Sequence, residues 1–130
     1  MIYVDTSAFI AVIDRDDGNH EKAKEKWIRI LDAGENLVCS NYVLLETCAL
    51  IQNRLGMEAL KAFQKDVAPV IDIIWVNEKI HEIGINAVLA ANRRQLSLVD
   101  CVSFAVMRHL SADKAFAFDS HFPGQGFELV

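Results

Sequence analysis

Short apolar runs separated by stretches of helical periodicity leave few folds open to this chain. The runs are Ile2–Val4, Leu37–Cys39, Ile71–Val76 and Ala115–Phe118, apolar almost throughout. A strand with no polar face must be covered on both sides, which means a mostly parallel sheet with helices packed against it. The intervening segments supply those helices. Ala23, Trp27, Ile30 and Leu31 recur at helical spacing, with Lys22, Lys26 and Arg29 opposite them, so this segment is an amphipathic surface helix. Asn41–Asn53 is nearly all apolar and reads as a buried helix, followed after Leu55-Gly56 by another that ends before Pro69. Further helices fit Asn77–Arg93 and Val99–Leu110. The expectation is an α/β fold with a sheet of four to five short strands.

Composition narrows the function classes. A length of 130 residues suits one domain, and an apolar fraction of 52% is enough for a packed core. The formal charge is -5 and both halves are acidic, which counts against holding nucleic acid on a broad basic face. The longest stretches free of charged side chains, Asn36–Leu45 and Ile83–Asn92, are ten residues each, well below the roughly 18 of a membrane span. No basic, then apolar, leader opens the chain, so a cytoplasmic location is expected. Cys39, Cys48 and Cys101 form no Cys-x-x-Cys pair and read as reduced, buried thiols rather than a zinc site or a disulfide framework.

Most acidic residues here stand beside bases, but four do not. Asp5 is the only charge from residue 1 to 13, Glu46 from 36 to 53, Asp100 from 95 to 107, and Asp119 from 115 to 127. A carboxylate in apolar surroundings is costly to desolvate unless hydrogen bonds, a cation or a metal stabilises it. Asp5 and Asp119 directly follow apolar runs, so in a parallel sheet both emerge at the carboxyl edge, where ligands of open α/β sheets bind. Asp72, equally isolated, lies near the start of its run and reads as a structural or surface residue. Taken singly, Asp5 and Asp119 also suit helix N-caps, and Ser97 with Asp100 suits a capping box. Glu46 falls in mid-helix, where no cap is needed. Together, three Asp and one Glu converging at one sheet edge make an oxygen-only site for Mg²⁺ or Mn²⁺.

These residues, in this order, resemble the PIN-domain family of metal-dependent ribonucleases, and in particular the VapC-type toxins of toxin–antitoxin pairs. The likeness rests on Ile2-Tyr3-Val4-Asp5-Thr6-Ser7, on Ser40–Ile51 around Leu45-Glu46, on Leu96-Ser97-Leu98-Val99-Asp100-Cys101, on Phe118-Asp119-Ser120-His121-Phe122, and on the closing Gly126-Phe127-Glu128-Leu129. It covers essentially the whole chain. The resemblance implies a three-layer α/β/α sandwich in which Asp5, Glu46, Asp100 and Asp119 bind one or two divalent cations and cleave RNA. It also implies that Ser7 and Thr6 order the site, and it suggests a homodimer and an antitoxin that covers the active site. Arg93 and Arg94, or the ridge of Lys22, Lys26 and Arg29, are candidate contacts to the RNA backbone. His121 reads as a polar surface turn, and His20, His81 and His109 receive no role.

A bound metal can activate water and neutralise a phosphate, so no histidine base is required. Two other readings exist: a Mg²⁺-dependent phosphotransfer domain of the receiver or haloacid-dehalogenase kind, and an inactive PIN-like interaction module. Asp5-Thr6-Ser7 lacks the second aspartate of the dehalogenase motif, and Lys114 precedes its strand rather than ending it as in receivers. The intact quartet argues against an inactive module. Setting the quartet aside leaves 14 acids against 13 bases, so the acidity of the chain is largely that of the site itself.

Overall fold

The computed structural model describes residues 1–130. Five strands form one sheet: β1 (Ile2–Val4), β2 (Leu37–Ser40), β3 (Asp72–Ile74), β4 (Lys114–Phe116) and β5 (Glu128–Leu129). Their spatial order is β3-β2-β1-β4-β5, and every neighbouring pair is parallel. Seven helices flank the sheet: α1 (Thr6–Ile13), α2 (His20–Asp32), α3 (Asn41–Leu55), α4 (Met57–Ala62), α5 (Glu78–Ala91), α6 (Leu98–Leu110) and α7 (His121–Gly124). This is the α/β/α architecture expected from the sequence.

Apolar strands make the centre of the core, where Tyr3, Val4, Val38 and Phe116 are all buried. Tyr3 buries a phenol there, and its hydroxyl donates to Ser103 Oγ at 2.9 Å, which offsets the desolvation and ties β1 to α6. α5 and α6 approach closely at Gly84, where an added Cβ would lie 2.5 Å from Val102 Cγ2. From β1 the chain runs to β2 and β3 at one edge, then crosses to β4 and β5 at the other. The order therefore reverses between β1 and β4, and a crevice at their carboxyl ends is the expected ligand site of such a sheet.

Several boundaries differ from expectation, each for a local reason. β3 stops at Ile74 rather than Val76, because the Val76 N–H donates to Asn41 Oδ1 at 2.8 Å instead of a neighbouring strand. β4 spans Lys114–Phe116 rather than Ala115–Phe118, because the Phe118 N–H is taken by Ser7 Oγ at 2.9 Å. α3 is not buried all round: Val43, Thr47 and Ile51 face the core, whereas Leu45 is 71% exposed. Beyond α4 the helix widens into a π turn over Phe63–Val67 and tightens into a 3₁₀ turn over Ala68–Val70, which accommodates Pro69. α1 is apolar nearly throughout and lacks the polar face that marks a helix by periodicity.

Candidate active site

The carboxyl ends of β1 and β4 are neighbours, and the chain leaves each at an aspartate. Asp5 follows Val4, and its N–H donates to Phe116 O at 3.0 Å, prolonging the β1–β4 pairing by one step. Its carboxylate caps α1, with Oδ2 accepting from the Ser7 N–H at 3.1 Å and from Ser7 Oγ at 2.6 Å. Because Ser7 Oγ also accepts from the Phe118 N–H, one hydroxyl joins Asp5 to the exit of β4. Thr6 is buried next to it and accepts from Thr47 Oγ1 at 3.4 Å, which links α1 to α3 one residue beyond Glu46.

Two further caps place Glu46 and Asp100. Ser40 caps α3 by accepting from the Val43 N–H at 3.1 Å, so Glu46 lies on a helix whose start is pinned to the end of β2. Ser97 and Asp100 form the reciprocal box: the Asp100 N–H donates to Ser97 Oγ at 3.0 Å and the Ser97 N–H to Asp100 Oδ2 at 3.3 Å. Capping and clustering are thus not alternatives here. The same aspartates that end backbone hydrogen-bond chains also line, with Glu46, a cleft of about 480 Å³.

Electrostatics record the crowding. Burial pushes the Asp5 carboxyl above its ordinary value against the two Ser7 hydrogen bonds, and the charges of Asp119 and Glu46 push the same way. Burial, followed by the charge of Asp119 and more weakly that of Asp5, raises Asp100 to about 6. All four members of the quartet are therefore linked by charge. Asp72, by contrast, is exposed at the start of β3 and does not line the cleft.

A family profile for the PIN domain matches residues 2–127. The chain belongs to the PIN-domain family. Along its whole length it is 34% identical to the 23S rRNA-specific endonuclease VapC20 of two strains of Mycobacterium tuberculosis, covering 98% of that protein. A crystal structure of M. tuberculosis VapC20, described as a sarcin-ricin loop cleaving toxin, superposes with a TM-score of 0.85 at 32% identity, covering 98% of this chain and 96% of the other. Full-length kinship with an endonuclease sets aside the receiver and dehalogenase readings.

In this PIN domain His121 departs from its sequence reading. His121 is not a surface turn: its side chain is 25% exposed, and Nδ1 lies 2.8 Å from Asp119 Oδ1 and 3.7 Å from Asp100 Oδ2. Despite this closeness, Nδ1 is buried and makes no hydrogen bond. One ligand atom each from Asp100, Asp119 and His121 lie within 4.8 Å of one another. Hard carboxylate oxygens beside this imidazole nitrogen fit a divalent cation, which would offset the burial and the mutual repulsion that raise Asp5 and Asp100.

Cleft residues that sequence reasoning missed include Asp17, Asn19, Gln95 and Arg54. Asp17 and Asn19 come from the turn before α2, and no local signal marks them. Arg54 does have one: Glu46, Leu50 and Arg54 follow at four-residue steps along one face of α3. Arg93 and Arg94 are exposed in the turn between α5 and α6, and neither lines the cleft. On the α2 ridge, Lys26 Nζ donates to Val130 O at 2.6 Å and lies 5.5 Å from the Phe118 ring centroid. Lys26 and Arg29 line a separate pocket of about 340 Å³ that shares no residue with the acidic cleft.

Proposed function

We propose that this PIN domain, over residues 1–130, is a Mg²⁺- or Mn²⁺-dependent endoribonuclease and the toxin of a VapBC-type toxin–antitoxin pair. The observation that carries the reading is the meeting of Asp5, Glu46, Asp100 and Asp119 in one cleft, each isolated in apolar sequence, with Asp5 feeling the charges of Glu46 and Asp119 and Asp100 those of Asp119 and Asp5. VapC20 is named for its action on 23S rRNA, so ribosomal RNA is the first substrate to test.

The quartet, with His121 beside Asp100 and Asp119, would hold one or two divalent ions. The chemistry an ion supplies there is acidification of a water and neutralisation of charge on the phosphate oxygens. The chain's own residues supply position. Ser7 fixes the Asp5 carboxylate against β4, the box with Ser97 fixes Asp100 at the start of α6, and the contact between Thr6 and Thr47 sets α1 against the helix that carries Glu46. Such fixed placement lets a phosphodiester meet donors that need no reorganisation.

The test is cleavage of ribosomal RNA by purified protein with Mg²⁺, Mn²⁺ or EDTA, beside Asp5→Asn and Asp100→Asn. These near-isosteric changes are expected to lower kcat by roughly a hundredfold or more, because each removes a charge the reaction uses. Cleavage that persists in EDTA, or in both variants, overturns the reading. As a toxin, the protein is expected to arrest growth when expressed alone and to be relieved by a cognate antitoxin. A homodimer is part of the proposal, supported by the large apolar side chains of Leu45, Trp75 and Leu89, each more than 70% exposed. The proposed site of action is the cytoplasm; no helix is long and apolar enough to cross a membrane.

A further inference from the structure

Five carboxylates line the cleft, namely the quartet and Asp17, and Arg54 is its one Lys or Arg. An arginine whose purpose was to neutralise those acids would be paired with one of them. The ion pairs of the chain join Met1 to Glu35, Lys61 to Glu58, and His121 to Asp100 and Asp119; none includes Arg54. Arg54 therefore lines the cleft as an exposed side chain of the last turn of α3, with no carboxylate paired to it.

Its position along α3 suggests what it matches. Glu46, Leu50 and Arg54 line the cleft from the same helix, and at ~1.5 Å per residue Arg54 stands about 12 Å along the axis from Glu46. Cα–Cβ bonds in a helix tilt toward its amino terminus, which along α3 is the direction of Glu46. A stacked strand advances about 3.4 Å per phosphate along its axis, so Arg54 falls roughly three to four phosphates from one held at the acidic end. Leu50 between them offers an apolar surface for a sugar or base.

We propose that Arg54 is a substrate-positioning residue that grips a non-scissile phosphate of the RNA strand while the carboxylate end holds the scissile one. This rests on the nuclease reading above. The planar guanidinium presents paired donors to two phosphate oxygens, a geometry lysine does not reproduce. A contact of this kind fixes the strand in the cleft and carries no base information.

The experiment measures steady-state cleavage of two RNAs of different sequence, with Mg²⁺, by wild type, Arg54→Ala and Arg54→Lys. Arg54→Ala is expected to raise KM about tenfold on both RNAs with kcat changed less than about threefold, and Arg54→Lys to recover part of the loss. The salt dependence of kcat/KM should flatten by about 0.7 in logarithmic slope, the loss of one phosphate contact to a single strand. A residue that only balanced the dipole at the end of α3 would lower Tm and leave KM and the slope unchanged. If Arg54→Ala melts early, Arg54→Lys and Arg54→Gln carry the same comparison. Wild-type cleavage with unchanged KM and slope in these variants overturns this inference and leaves the nuclease reading standing. Wild type that cuts neither these RNAs nor ribosomal RNA overturns both.

Discussion

Ser7 shows how much a single side chain decides. Its hydroxyl donates to Asp5 Oδ2 at 2.6 Å and accepts from the Phe118 N–H at 2.9 Å, so it holds both the carboxylate and the strand exit that leads to Asp119. Ser7→Ala removes both bonds and leaves a part-buried N–H without an acceptor, which costs about 1–3 kcal/mol. The expected result is a Tm lower by a few degrees and a kcat reduced by roughly tenfold, since Asp5 keeps only its bond from the Ser7 N–H. The hydroxyl also holds the Asp5 pKa down against burial, so its loss should move the acidic limb of the pH–rate profile to higher pH. An unchanged acidic limb would show that Ser7 supports the fold alone. Asp5 itself was legible from sequence as an isolated charge behind an apolar run. His121 was not, because nothing local distinguishes a histidine in a surface turn from one folded back onto Asp100 and Asp119.

At the level of elements, helix starts do two jobs. α1, α3 and α6 each begin at a residue whose side chain accepts from the first turn; the α1 cap is itself Asp5, and the α6 cap Ser97 is returned by Asp100. Capping motifs are short-range, so Ser97-Leu98-Val99-Asp100 could be read as a box before any fold was known. Close packing is not short-range. Gly84 lies in mid-helix, where glycine costs about 1 kcal/mol relative to alanine, and only the approach of Val102 explains it. The clash is with Val102 Cγ2, on a β-branched side chain with few rotamers to escape into. Gly84→Ala is therefore expected to destabilise the protein by about 1–2 kcal/mol despite its better helix propensity. Denaturant unfolding reads this directly; a stabilised variant would show that α5 and α6 can separate without loss.

Across the whole molecule, the site couples stability to pH. Folding raises Asp100 from 3.8 to about 6 and raises Asp5 as well, so between those values the native state binds more protons than the unfolded chain. The associated stability is present below about pH 4 and is lost as pH rises through about 6. Metal-free protein therefore gives up this contribution at neutral pH, where the crowded carboxylates are ionised and repel one another. Divalent metal should reverse this, since it binds the ionised carboxylates. The Tm gain on adding Mg²⁺ is expected to be several degrees at pH 7.5 and to vanish by about pH 5. A gain independent of pH in thermal scans would overturn the coupling. Sequence alone determined the layered α/β fold and the quartet, because strand runs, helix periods and a lone carboxylate are properties of neighbouring residues. It also located the acidity in the site, since 14 acids face 13 bases elsewhere. Only tertiary structure decided the cleft's other members. Arg54 enters the wall while Arg93 and Arg94 stay outside it, and Asp17 adds a fifth carboxylate to the four that stood out along the chain. Strand order and helix packing set those choices, and they bring together groups far apart along the chain.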